Sequence, residues 1–426
     1  MTSGDKLLII EVAALGWDVV NRFRQVFDGL PVTFHPLELP FPAVTCTSQA
    51  TLRTGQAPEE HGMICNGIFD RRLRKTFFWE QSACLADKRR IWTDFRRRGG
   101  TVGQLCIQQS LGDDVDLVLS PAPIHKHHGG MIQDCYTLPR SLYADLVGAV
   151  GRRFNLFHYW GPFASHKSTR WITSATEAVL ERADAPDLLL TYLPHLDYEL
   201  QKHGPRNEKR LRTAVCVIAD SLRRLLRAAE ERGYRSIVWG DYAIEAATRV
   251  VHPNRALRES GLFAVRPVRR MEYPDLFSSR AVALTDHQVA HVFVPNPGDI
   301  PEAQRVLSKL AGVERVFVPN RPVHANYGDL VLRAAPGAWF SYKWWAEDRR
   351  APDYATHVDI HNKIGFDPCE LFTGLNPMRV SLDDRKVQGT HGRASAPAAF
   401  AATFGFDEPP STLLQLSQAI EAMLGP

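Results

Sequence analysis

Three carboxylates sit where apolar, strand-like runs end. Glu11 closes "KLLIIEV" (6–12), Asp197 follows "DLLLTYL" (187–193), and Asp241 with Tyr242 follows "SIVWG" (236–240). In an open α/β sheet the carboxyl ends of the strands are where loops and helix N-termini converge on ligands. Three acidic groups brought to one crevice would repel strongly unless a cation lay between them, so their placement reads as a metal site. Taken singly, each also reads as a helix cap or loop carboxylate. A second chemical stretch is "FPAVTCTSQATLRTGQAPEEHGMICNG" (41–67), which holds four threonines, the last of them in a Thr-Gly turn that a His-Gly turn follows.

The elements that must position these groups are legible from periodicity. Runs such as "KLLIIEV", "TVGQLCI" (101–107), "VDLVLS" (115–120), "DLLLTYL", "SIVWG" and "VAHVFVP" (289–295) are nearly continuous in apolar residues, as in strands buried on both faces of a parallel sheet. Between them, 207–233 carries apolar residues three and four apart and stops at Gly233, and 301–312 opens on Pro and closes on Gly. Alternating strands and helices predict an α/β fold with a mainly parallel sheet.

The chain has 426 residues, 44% hydrophobic and 23% charged, with a net charge of +4, an ordinary globular composition. Short basic runs at 71–75 and 96–98 read as solvated faces, so no nucleic-acid polymer is expected as a partner. Seven scattered cysteines without a CxxC pair argue against a disulfide framework and a thiolate zinc site. The apolar run near the N-terminus meets Glu11 after four residues, too short for a signal core or a membrane span. A cytoplasmic protein with no membrane partner is expected, its oligomeric state undetermined. No repeat or linker divides the chain, so one domain over 1–426 is expected. The irregular, aromatic segment at about 320–390 is a possible lid or inserted layer.

The 41–67 stretch resembles the nucleophile segment of the type I phosphodiesterase/nucleotide pyrophosphatase family of the alkaline phosphatase superfamily. That pattern reads Pro-x-x-Thr, Thr-Gly, x-x-Pro-x-x-His-Gly and Asn. "YLPHLDYELQKHGP" (192–205), "HVDIHNKIGFDPCELF" (357–372) and "QGTHG" (388–392) follow in the expected order. The resemblance implies a three-layer alkaline-phosphatase-like α/β fold, with helices on both faces of the sheet and a small lid. It implies a metal-dependent hydrolase of phosphoester, phosphoanhydride or phosphonate bonds in a small phosphorylated substrate, and it makes Thr45 the nucleophile that forms a phospho-threonine. Cys46 is one residue out of register for the related sulfatases, and the remaining hydroxyls are expected to cap the helix. Coordination to a divalent cation would lower the pKa of an otherwise unreactive alcohol.

The metal ligands implied are Glu11, Thr45, Asp197, Asp241 and His391. Glu11 stands where the pattern has Asp, while Gln201 and Tyr242 stand where it has His. Gln201, Tyr242 and His361 are therefore further candidates. With two imidazoles replaced by oxygen-bearing side chains, one or two ions of Zn, Mn or Mg are expected, with weakened preference for Zn. Asn66 and the loop histidines His125, His127 and His128 in "PAPIHKHHGG" (121–130) are candidate substrate contacts. Two other readings stand beside this one. The first is a catalytically silent member that binds a phosphorylated ligand or a partner, and the second is a phosphomonoesterase or mutase on the same fold.

Overall fold

The computed structural model describes residues 6–127, 130–320 and 322–425. Its main sheet has eight strands: β1 (Lys6–Val12), β2 (Thr33–Leu37), β3 (Val102–Leu105), β4 (Leu117–Pro121), β5 (Cys135–Leu138), β6 (Leu188–Leu193), β7 (Tyr234–Gly240) and β12 (Ala398–Ala402). The spatial order is β2-β12-β7-β1-β6-β3-β4-β5. The run β7-β1-β6-β3-β4 is parallel, and antiparallel pairings at β12 and β5 extend it on either side. Leu7 to Ile10 and Leu188 to Leu190 are buried throughout, which explains why these strands read as unbroken apolar runs.

Register then fixes the chemistry. Glu11 lies opposite Tyr192 on β6 and Trp239 on β7, so Glu11, Asp197 and Asp241 all gather at the carboxyl end of three adjacent strands. The long helix Glu208–Glu231 buries Leu211, Val215, Ile218, Leu222 and Leu225 against one face of the sheet, capped at its start by Asn207. The helix Thr45–Thr54 and the C-terminal helix Leu413–Leu424 pack together, and Ser417 Oγ donates to the Leu52 carbonyl.

One expectation is corrected. The run 289–295 does not join the parallel sheet. It forms a second, antiparallel four-stranded sheet of β8 (Val282–Asp286), β9 (Val289–Phe293), β10 (Val313–Phe317) and β11 (Leu330–Ala334), in the order β8-β9-β11-β10. β8 and β9 are joined by a two-residue turn, His287-Gln288, with His287 at φ 49°. Both strands are buried along their whole length, so the period-2 alternation that marks an antiparallel pair is absent from their sequence. This sheet has its own core, into which Phe340, Tyr342, Trp344 and Trp345 of the aromatic segment are packed. Lys343 is buried there as well, ion-paired to Asp384.

Candidate active site

Thr45 is the first residue of a ten-residue helix, every one of whose side chains is buried. Local sequence explains the entry: Val44 is extended and precedes the first turn, and Gly55 at φ 65° ends the helix in the left-handed conformation that glycine tolerates. The expectation that the neighbouring hydroxyls cap this helix is not met. Val44 makes no side-chain cap, and the cap comes from Asn66, whose Oδ1 accepts from the Cys46 amide at 3.0 Å. The hydroxyls serve other contacts: Ser48 Oγ donates to the Asp241 carbonyl (2.8 Å), Thr51 pairs with His61 (3.0 Å), and Thr54 donates back to Ala50 (2.7 Å). The Ser48 bond ties the Thr45–Thr54 helix to the end of β7. Cys46 accepts from Gln109, and burial pushes its thiol well above its ordinary pKa, which disfavours a thiolate there.

The carboxylates form one buried cluster. Glu11 Oε1 accepts from Gln49 Nε2 at 3.0 Å, and Gln49 Oε1 is held by the Gln108 amide at 2.8 Å. Asp241 Oδ1 accepts from the Ala14 amide at 3.0 Å, while its Oδ2 is buried without a donor. Burial raises the pKa of both Glu11 and Asp241, Asp241 to about 8. The Asp241 charge lifts Glu11 further, and the Asp197 charge lifts Asp241. Asp197 is also lifted by burial, to about 6, and the bonds from Gln201 and Tyr242 hold it there. Gln201 Nε2 donates to both Asp197 oxygens, at 2.9 and 2.8 Å. The Tyr242 hydroxyl bonds both Asp197 and Thr45.

His391 donates Nδ1–H to the Ala43 carbonyl at 2.9 Å. Tyr242 stacks on one face of its ring, with centroids 3.5 Å apart and planes 4° off parallel, and His287 covers it at 3.7 Å. His287 is oriented by Asp286 (2.7 Å), which also accepts from the Asn66 amide (2.7 Å) and from Asn66 Nδ2 (3.3 Å). Phe366 stacks on His287 at 3.9 Å.

The structure thus brings Glu11, Asp197, Gln201, Asp241, Tyr242, Thr45 and His391 into one buried network. Asn66 is engaged on the Thr45–Thr54 helix and Asp286. His361 is exposed and donates to the Phe78 carbonyl. His127 is exposed on its loop, His125 pairs through its backbone with Met131, and His128 lies outside the described residues. Sequence reasoning missed Gln49, Asp286 and the capping role of Asn66. A polar residue four positions along the nucleophile helix was the one available signal for Gln49.

Among the described residues no three or more His, Cys, Asp or Glu side chains are grouped to hold a metal ion. A smaller, oxygen-based set does fit a cation: the donor-less Oδ2 of Asp241, the Glu11 carboxyl coupled to it, and the Thr45 hydroxyl, joined to the cluster through Tyr242. Such donors suit a hard ion of the Mg²⁺ or Mn²⁺ type.

A large mixed sheet with helices, and acidic groups beside a helix-borne threonine at its carboxyl edge, define an alkaline-phosphatase-like α/β protein. Murine ectonucleotide pyrophosphatase/phosphodiesterase 5 is similar to this chain at 15% identity and TM-score 0.60, covering 99% of this chain and 95% of the other. An inactive variant of that protein has been solved with AMP (15% identity, TM-score 0.61, 99% and 95% covered). Phosphonoacetate hydrolase from Sinorhizobium meliloti 1021, in complex with phosphonoformate, is similar at 12% identity and TM-score 0.62, covering 99% and 96%. No curated protein matches by sequence. The model of the type I phosphodiesterase/nucleotide pyrophosphatase family matches residues 8–367, and the chain belongs to that family of hydrolases. Among the described residues no helix is long and apolar enough to cross a membrane.

Proposed function

We propose that this chain hydrolyses a phosphoester, phosphoanhydride or phosphonate bond in a small molecule, with Thr45 as the phosphoryl acceptor. The observation that carries this reading is that Thr45, at the N-terminus of a buried helix, neighbours Tyr242, which sits among carboxylates from three adjacent strand ends. Glu11, Asp241 and Thr45 would hold a divalent cation, whose charge would offset the carboxylates and acidify the threonine hydroxyl. The chain's own residues do the rest. Gln49 pins one oxygen of Glu11 and Ala14 one oxygen of Asp241, and the other Asp241 oxygen is buried without a donor. The first turn of the helix attracts phosphoryl oxygens through its N–H groups and dipole. Attack by Thr45 forms an Oγ–P bond as the bond to the leaving group breaks. Water then cleaves the Oγ–P bond, restoring the hydroxyl and releasing the phosphorylated product.

A second reading, a silent member that binds a phosphorylated ligand, is favoured by one observation: Gln201 and Tyr242 already satisfy Asp197. Assays with p-nitrophenyl phosphate and bis-p-nitrophenyl phosphate in Mg²⁺, Mn²⁺ or Zn²⁺ separate the two readings. Turnover that disappears in Thr45→Ala and persists in Cys46→Ala supports the hydrolase. Absence of turnover with every metal supports the binder, and preference for the monoester points to a phosphomonoesterase.

A further inference from the structure

Thr45 is 3% exposed, so any ligand that meets its hydroxyl must pass a cover that moves. One part of the rim is built for movement. Residues 155–164 lead from the helix Leu142–Val150 to the helix His166–Leu180 and belong to neither the eight-stranded nor the four-stranded sheet. The loop's backbone bonds turn back on itself: the Tyr159 and Trp160 amides donate to the Leu156 carbonyl, Ala164 to Gly161, and Ser165 to His158. Its ties to the surroundings run through side chains. Gln133 Oε1 accepts from the Leu156 amide (2.9 Å), Lys202 Nζ donates to the Pro162 carbonyl (3.1 Å), Gln108 Nε2 donates to the Tyr159 hydroxyl (3.4 Å), and the Trp160 indole N–H donates to Glu370 Oε2 (2.6 Å). Phe157 and Phe163 are left exposed. A loop that satisfies its own backbone and docks by side chains can open without breaking a ladder.

The contacts of Tyr159 and Trp160 reach three sides of the site. Gln108, which meets Tyr159, holds Gln49 through its amide, and Gln49 holds Glu11. The Trp160 ring packs against Tyr198 (6.2 Å), the chain neighbour of Asp197, and against Phe366 (5.6 Å). Phe366 in turn stacks on His287, which covers His391. The surface that receives the indole is fixed: Phe366 lies in the core of the second sheet, and Glu370 Oε1 takes the Lys363 ammonium (2.6 Å) and the Asp359 amide (2.9 Å). We propose that residues 155–164 form a lid over Thr45, latched by the Trp160 indole on Glu370, that opens to admit a ligand. The latch is a bond to a charged group near the middle of the loop, so its loss shifts the balance toward the open form.

Access to position 45 can be read without turnover, so the outcome is independent of the hydrolase reading. In the full-length chain carrying Thr45→Cys and Cys46→Ala, alkylation by iodoacetamide is followed site by site with peptide mass spectrometry. Cys65, buried in the same chain, reports global unfolding. The thiol at position 45 should react more slowly than in the urea-unfolded chain and ahead of Cys65. Adding Trp160→Phe keeps a ring against Phe366 and Tyr198 but deletes the N–H donor. It should raise the rate at position 45 by about 10- to 100-fold, the weight of one hydrogen bond to a charged group, and leave Cys65 unchanged. No change at position 45, or an equal rise at Cys65, would overturn the lid. Hydrogen exchange of the unsubstituted chain gives a second reading. The amides of 157–164 should exchange as a group ahead of the helix His166–Leu180, and protection equal to that helix would also overturn the lid.

Discussion

Two halves of one acidic cluster, less than a strand's width of sequence logic apart, have solved the same electrostatic problem by different means. In the Glu11–Asp241 half, each carboxyl receives one protein donor, and Asp241 Oδ2 receives none. Burial and the Asp197 charge push Asp241 up to about 8, and burial and the Asp241 charge push Glu11 well above its usual range. In the Asp197 half, burial also raises the carboxyl, yet Gln201 and Tyr242 supply neutral donors and it rises only to about 6. The first half is incomplete without a proton or a cation, and the second is complete as it stands. A buried carboxylate can be settled by a charge or by enough hydrogen bonds, and the choice decides whether a metal has a place there.

The largest effect that would break this contrast is on the nucleophile. Thr45→Ala should reduce hydrolysis of bis-p-nitrophenyl phosphate by about 1000-fold or more, and Cys46→Ala should leave it nearly intact. Next, Asp241→Asn should abolish Mn²⁺ binding measured by calorimetry, whereas Asp197→Asn should weaken it far less, because Asp197 is already satisfied by neutral donors. Equal losses in the two variants would erase the distinction between the halves.

Gln49→Leu tests the clamp on Glu11. It strands the Gln108 amide and removes a donor from a buried carboxyl, so about 1–3 kcal/mol of stability should be lost in urea unfolding.

The smallest effect is a pH slope. Asp241 holds its proton to about 8 when folded but releases it near 4 when unfolded, so from about pH 4 to 8 the folded state binds more protons. Stability is therefore lost as pH rises through this window. Above about 7.5, a unit beyond the ordinary histidine value, the buried histidines His61, His195, His287 and His291, all pushed down to about 3, are nearly neutral in either state and contribute little slope. The melting temperature of EDTA-treated protein should fall from about pH 7.5 to about 9, and saturating Mn²⁺ should flatten the fall. A fall that persists in Asp241→Asn would assign it to another group.

Much of this arrangement was legible in sequence because it depends on strand ends. Glu11, Asp197 and Asp241 each follow an apolar run, and parallel register carries all three to one edge. Thr45 was legible through the Thr-Gly stop nine residues on, which sets the helix it begins. What stayed hidden depends on contacts between distant segments. The cap on the Thr45 helix comes from Asn66, and the Glu11 clamp from Gln49, neither marked by local periodicity. The β8–β9 hairpin was misread because burial on both faces erases the alternation that separates antiparallel from parallel strands.

The most direct measurement is to quench turnover of p-nitrophenyl phosphate in acid and map phosphorylated peptides by tandem mass spectrometry. A phosphoryl group on Thr45 in the wild type, absent from Thr45→Ala together with turnover, is the result expected. Sustained hydrolysis by Thr45→Ala, or a covalent adduct on any other side chain, would contradict the account.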